Sequence, residues 1–415
     1  MKTISRVFMW QIISAIGLNL AYVFVISERF SYMGFSYTFN ATKLFLGSLI
    51  IFLMLFLIFF ISDKFIFVVW NIMFIYLFVG EMIYYQYTEG ARAVQVVTIA
   101  ITLLLLVFVS RIKKTFSNSQ KQLNIDKVLV PLSFILIVPF FIQYYRYINF
   151  KNLLLIDVYQ TRATFRNIST TLTGYLAAPL VRIILPILIV NNIERKKWIK
   201  VAIFFLMIVY VYLCGALKSV FIGLFALLLF YRGDYHRKTI NFLKVVSFLT
   251  LFGILIEGLS GNIFLLDGFV RRVFFVPPYL NNIYINYFTD NYTYLSHSPL
   301  GLGLVKSDLD RSLSMYVGEV VMGLEGLNAN VGVFTEGYIS FGIAGSIFFS
   351  LIICSIFLII KMLNMSPKYF GIVFVYIYYL NTAFLSTLLM THGLLFFLAF
   401  CMLFLRSRHI ESQIQ

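Results

Sequence analysis

The sequence predicts an all-α fold: a polytopic membrane protein of about twelve transmembrane helices with one large loop on the non-cytoplasmic side. Three observations predict it. Hydrophobic residues make up 61% of the 415-residue chain and charged residues only 12%, where a soluble domain carries about 25% charged residues. The mean hydropathy is +0.91. Apolar runs of about 20 residues, each enough to cross a hydrocarbon core of about 30 Å, recur from end to end. The lipid bilayer is therefore a partner throughout, and 1–415 reads as a single transmembrane domain.

Apolar runs and their breaks put the spans near 7–27, 42–61, 65–83, 93–110, 128–145, 171–190, 199–214, 219–231, 240–257, 331–360, 370–388 and 393–405. The first, Val7 to Ser27, is long and has no small-residue cleavage site, so it reads as a span rather than a cleaved signal. Between 201 and 231 the run is interrupted by Gly215-Ala216-Leu217-Lys218-Ser219. One long helix is conceivable there. Two short spans or a re-entrant pair fit better, because the flanking basic groups belong on one side.

Those basic groups set the orientation. Arg111-Ile-Lys113-Lys114, Arg195-Lys196-Lys197 and Arg232 to Lys238 share a side with both termini, and the positive-inside rule makes that side cytoplasmic. The net charge of +16 then reads as orientation signal and contact with anionic lipid, and not as a nucleic-acid surface. Cys214, Cys354 and Cys401 stand alone in apolar runs, with no ligand spacing, and read as small buried hydrophobes. Two polar segments face the other side: 146–170, and the much longer 258–330. Long loops are uncommon unless functional. No internal repeat of the kind that marks many transporters is visible.

The long loop opens with Asp267-Gly-Phe-Val-Arg271-Arg272-Val-Phe-Phe-Val-Pro277-Pro278. Apolar residues around a paired arginine suit the membrane interface, and two prolines stop the helix before them. Arg271 and Arg272 then lie at headgroup depth, where a guanidinium fork binds phosphate oxygens; the plainer alternative is a pair of anchors snorkelling to water. In 146–170, Arg162 and Arg166 are four residues apart, on one face of any helix. They suggest an anionic ligand, or else solvated cations. Arg182 lies inside a span between Pro179 and Pro186. At bilayer depth an arginine costs about 2.5–3.5 kcal/mol, so it should face a cavity or a partner, with Glu81 or Glu257 as structural ion-pair candidates.

His297, in Ser296-His297-Ser298, is a candidate general base, although a loop histidine is more often simply solvated. Asn328-Ala-Asn330-Val-Gly332 leads into an apolar helix that carries Glu336 about one and a half turns in, followed by Gly337, Gly342 and Gly345. An intramembrane carboxylate is a functional candidate by default, as base, as orienting group or as structural counter-ion. The glycines permit close helix or ligand approach. Walker A, GxGxxG, HExxH and GxSxG patterns are missing. No cofactor or metal is expected, and no nucleic acid.

The stretches Arg271-Arg272-Val-Phe-Phe-Val-Pro-Pro, Tyr287-Phe, Tyr294-Leu-Ser296-His297-Ser298, Asn328-Ala-Asn330-Val-Gly and Phe341-Gly-Ile-Ala-Gly345 resemble O-antigen polymerases of the Wzy type, with Asp157-Val-Tyr-Gln-Thr-Arg162 in the same style. The resemblance is sharpest over 270–350 and elsewhere is one of topology. It implies a glycosyltransferase of the bacterial inner membrane. In the implied reaction a growing glycan moves from undecaprenyl pyrophosphate to the non-reducing end of a new lipid-linked repeat unit, and lipid pyrophosphate departs. Donor and acceptor are thus the implied partners, and a chain-length regulator is a further partner the resemblance allows. The resemblance makes Arg271, Arg272, Arg162 and Arg166 pyrophosphate-clamp candidates, with Arg182 deeper. Glu336 and His297 compete as base, and Asn328 and Asn330 hold sugar hydroxyls. An O-antigen ligase or a transporter of lipid-linked oligosaccharide are the rival readings, the single long loop arguing against the transporter.

Overall fold

In hydrocarbon every backbone amide must find its partner within the protein, which leaves helices or a closed barrel. The computed structural model describes residues 2–116, 123–154, 157–216, 218–307 and 309–406. Among them the chain is helical apart from turns and one isolated bridge between Met365 and Arg406. Ten helical stretches are long and apolar enough to cross a membrane: α1 (Thr3–Arg29), α2 (Ala41–Phe60), α3 (Lys64–Tyr87), α4 (Val94–Arg111), α5 (Ile125–Tyr147), α7 (Thr171–Glu194), α8 (Trp198–Gly215), α10 (Tyr235–Ser260), α13 (Val333–Met362) and α15 (Leu385–Leu405). Shorter helices lie between them: α6 (Val158–Ile168), α9 (Lys218–Phe230), α11 (Leu266–Phe275), α12 (Val276–Tyr287) and α14 (Phe370–Tyr379).

The chain is a multi-pass membrane protein, with ten candidate spans where about twelve are expected. The two that fall short are those near 219–231 and 370–388. At 13 and 10 residues, α9 and α14 are about 20 and 15 Å long. The run from 201 to 231 is two helices: Ala216 takes a left-handed conformation (φ 46°) and ends α8, while residue 217 lies outside the described residues. Nor are the polar segments plain loops. The 146–170 segment contains α6, and 258–330 contains α11, α12 and a further short helical segment, Leu313–Tyr316 running into Val317–Val321. Pro277 and Pro278 occupy the first turn of α12, where a missing N–H costs nothing. They open a helix as much as they close the one before.

Contacts divide the chain into two compact units. The first comprises Met1–Lys113, Asp234–Ile359 and Ile377–Ser386. Its centre is α3, whose apolar stretch is buried along its whole length. Polar side chains tie its helices together: Gln11 donates to Asn71 Oδ1 at 2.7 Å, and the Ser14 and Ser247 hydroxyls pair at 2.9 Å. The second unit comprises Lys114–Gly233, Ile360–Tyr376 and Thr387–Gln415. In it α7 packs on α8, and Asp126–Arg195 and Glu194–Lys368 ion pairs lie near the end of α7. Several helices widen locally into π turns, a feature frequent at functional sites. One such widening carries Arg182 (Ala178–Ile184), and the whole of α11, with Arg271 and Arg272, is another.

Candidate functional site

The α13 helix is not straight. Phe341 (φ −144°, ψ 23°) and Gly342 (φ 64°, ψ −151°) leave the helical region and reverse the chain. The result is a short arm, 333–340, folded back on a long arm, 343–362. Ser346 Oγ on the long arm donates to the Phe334 carbonyl at 3.0 Å. A Cβ on Gly345 would lie 2.1 Å from the Gly337 carbonyl oxygen, so the arms touch backbone to backbone, as the glycine spacing implies. Glu336 sits on the short arm and is completely buried. The expectation of a carboxylate on a straight spanning helix is corrected to one on a half-helix. Its cause is Gly342, whose φ, ψ pair is essentially open to glycine alone.

The 292–298 segment closes over the end of that half-helix. Thr293 and Tyr294 N–H donate to the carbonyls of Ile339 and Ser340 at 2.7 and 3.3 Å, which satisfies two C-terminal acceptors that a helix leaves open. Two successive side-chain-bearing residues, Tyr294 (φ 48°) and Leu295 (φ 59°), then take left-handed conformations. Such outliers persist only where surrounding structure over-determines them, and they cluster at functional sites. The turn they make brings His297 inward. Its Nε2 lies 3.7 Å from Glu336 Oε1, and the two side chains are 2% and 0% exposed. The Phe384 ring packs on the imidazole with centroids 5.1 Å apart, and the Leu385 N–H donates to Glu336 Oε2.

His297 Nδ1, His297 Nε2 and Glu336 Oε1 are buried without a hydrogen-bond partner. Buried polar atoms are nearly always paired, so three orphans on two touching groups call for a reason. A hydroxyl beside the pair can lie within about 2.8 Å of both atoms at once. Sequence reasoning gives the two residues rival roles; the fold makes them neighbours.

The arginines have local partners. Arg271 is buried against Asp267, with Nε to Oδ1 at 2.7 Å and a further bond from Nη2, and its guanidinium lies 4.3 Å from the Phe30 ring centroid. Arg272 is half-exposed, with Nη2 3.7 Å from Asp267 Oδ2. Asp267 was legible as the partner, because it stands four residues before Arg271 at helical spacing. Arg162 and Arg166 both lie on α6, four residues apart. Arg162 donates through Nε and Nη2 to the Ala216 carbonyl at 2.9 and 2.8 Å; the Arg166 side chain lies outside what the structure describes. Arg182 donates to His392 Nδ1 at 2.8 Å. The expected acids are engaged elsewhere, Glu257 with Arg29 and Glu81 with Asn281. Asn328 and Asn330 are exposed on either side of buried Ala329, whose carbonyl accepts the Tyr284 hydroxyl at 2.8 Å. Burial pushes the Tyr284 phenol well above its usual range, so it stays a donor. Arg162, Arg166 and Arg182 belong to the second unit, and the other site candidates to the first. Asn281 and Thr335, which hold Glu81 and the short arm, gave no signal in the sequence.

These features define an all-helical polytopic membrane protein with a buried imidazole–carboxylate pair in its first unit. No family model, curated protein or solved structure matches the chain.

Proposed function

We propose that this protein is a glycosyltransferase that joins undecaprenyl-pyrophosphate-linked oligosaccharide repeat units, as in O-antigen or a related surface polysaccharide. In this reading it works at the periplasmic face of a bacterial inner membrane, with both termini cytoplasmic. The observation that carries the proposal is the His297–Glu336 pair. Both members lie within 270–350, where the resemblance to O-antigen polymerases is sharpest; their side chains are 3.7 Å apart and their facing atoms are unpartnered.

The chemistry needs a proton acceptor at the attacking hydroxyl and positive charge at the leaving group. The acceptor sugar's hydroxyl oxygen bonds to the anomeric carbon, the carbon–oxygen bond to pyrophosphate breaks, and that bond's electron pair leaves with the lipid pyrophosphate. The hydroxyl proton goes to His297 Nε2. Glu336, held by the Leu385 N–H on its other oxygen, steadies the resulting imidazolium. A positioned base of this kind contributes about 10²–10⁴-fold. Arg272, the half-exposed member of the arginine pair, meets the developing charge on pyrophosphate.

The test is the lipopolysaccharide profile of a deletion strain, complemented with wild type, His297→Ala, Glu336→Gln or Arg272→Ala. The expected outcome is a core bearing one repeat unit in the deletion, a full ladder with wild type, and no ladder with the variants at matched expression. If the deletion leaves a core with no repeat unit at all, the lost step is export or ligation and the reading is overturned.

A further inference from the structure

One buried acid has no part in the chemistry above. Glu81 lies on α3 and is 4% exposed; its Oε2 accepts a hydrogen bond from Asn281 Nδ2 at 3.1 Å. Asn281, on α12, is wholly buried and has its other amide atom engaged as well: Oδ1 accepts the Thr335 hydroxyl at 2.7 Å. Asn281 thus bridges the buried acid to Thr335, its amide nitrogen toward Glu81 and its carbonyl toward the hydroxyl. Thr335 is the residue before Glu336 on the short arm of α13.

That adjacency matters because of helix geometry. Neighbouring residues are about 100° apart around a helix axis, and side-chain tips lie about 5–6 Å from it. A turn of the arm by about 20° therefore carries a carboxylate about 2 Å, enough to part Glu336 from a histidine 3.7 Å away. The arm spans only 333–340, about two turns, and cannot fix its own rotation. We infer that Glu81, acting through Asn281 and Thr335, is a positioning residue that sets the rotation of the half-helix so that Glu336 meets His297. The inference rests on the reading of that pair as the proton-accepting centre.

Three variants and one compensating double test it in the full chain. Asn281→Asp sets a second carboxylate about 3 Å from Glu81, where both cannot stay ionised. Glu81→Gln keeps an acceptor for Asn281. The double Glu81→Gln/Asn281→Asp restores a donor–acceptor pair with the polarity reversed, since the new glutamine amide donates to the new aspartate. Thr335→Val removes only the hydroxyl bond. Amide hydrogen exchange at 333–340 in detergent is expected to rise about tenfold in Asn281→Asp and Thr335→Val. It should stay near wild type in Glu81→Gln and return in the double, while the thermal unfolding midpoint of Thr335→Val stays close to wild type. The polysaccharide ladder should follow the same order. Unchanged exchange in Asn281→Asp and Thr335→Val, or a double no better than Asn281→Asp, overturns the inference. A ladder lost in His297→Ala but intact in Asn281→Asp and Thr335→Val also overturns it and leaves the enzymatic reading standing. If exchange follows the expected order while no variant alters the polysaccharide, the enzymatic reading fails and the positioning role remains.

Discussion

Replacing Gly342 by alanine is expected to loosen the short arm of α13 without unfolding the protein. Two contributions set the size. At φ 64° and ψ −151° the backbone lies in a region essentially reserved for glycine, and a side chain there costs about 1–3 kcal/mol. The added Cβ would also come within 2.9 Å of Tyr292 Oη. Tyr292 is 37% exposed, so its tip can swing aside and this contribution is the smaller. A loss of about 1–3 kcal/mol is a change of about 5- to 150-fold in a local equilibrium. It would be read as faster amide exchange at 333–340 in the intact protein in detergent, with the long arm as internal reference. Gly258→Ala is the control, because nothing lies within 4 Å of its added Cβ and alanine favours a helix interior. Exchange at 333–340 that stays at the wild-type rate in Gly342→Ala would refute the reversal, and with it the account of how Glu336 reaches His297.

The paired arginines should separate in assay: Arg271→Ala leaves Asp267 short of its buried partner and is expected to cost about 1–3 kcal/mol, seen as a lower thermal midpoint. Arg272→Ala, at a half-exposed position, should leave that midpoint nearly unchanged while removing the ladder. Arg162→Ala removes two charged donors from the Ala216 carbonyl and should cost about 1.5–3 kcal/mol; Arg162→Lys should recover only part, because an ammonium lacks the planar fork. Asp310 is held below its usual value of 3.8 by the hydrogen bond from Arg311. Its folded-state value is the lower one, so the contact is fully present above the ordinary carboxylate range and is lost as pH falls through the depressed value. In Arg311→Ala, carbon-13 titration of Asp310 should move back up toward 3.8.

Most of the membrane architecture was legible because one variable decides it. A run of about 20 apolar residues has few alternatives to a spanning helix, and the candidate spans coincide with such runs. What hydropathy cannot read is a change of direction inside a run. Val333 to Met362 is uniformly apolar enough to pass as one helix, yet a single φ at Gly342 folds it in two. The end of α8 was legible, because the break at Gly215-Ala216 interrupts the apolar run there; only the left-handed conformation of Ala216 itself gave no sign. Site residues divide along a similar line. Glu336 and His297 stood out by being ionisable in apolar or isolated settings, whereas their adjacency depends on a turn built from Tyr294 and Leu295, residues poorly suited to φ > 0. Asn281 and Thr335 are ordinary polar residues, and only three-dimensional contact gives them meaning.

Charge and burial together rank the candidates. A guanidinium is a strong catalytic group only while its charge is available to the reacting atoms, and Arg271 has Asp267 against it and an aromatic ring beneath it. Removing it should therefore damage folding more than chemistry. The His297–Glu336 pair is the opposite case. Each unpartnered buried polar atom costs about 1–3 kcal/mol, and the pair carries three such atoms in a protein whose net stability is only about 5–15 kcal/mol. Were the pair merely structural, replacing both residues by apolar ones, as in His297→Phe/Glu336→Leu, would remove three orphaned atoms and leave one, the Leu385 N–H, so folding should stay intact or improve, with the polysaccharide unchanged. If the pair does the chemistry, the same double variant should fold at least as well as wild type and make no ladder. Stability and activity then move in opposite directions, a combination that a structural role for the pair does not produce.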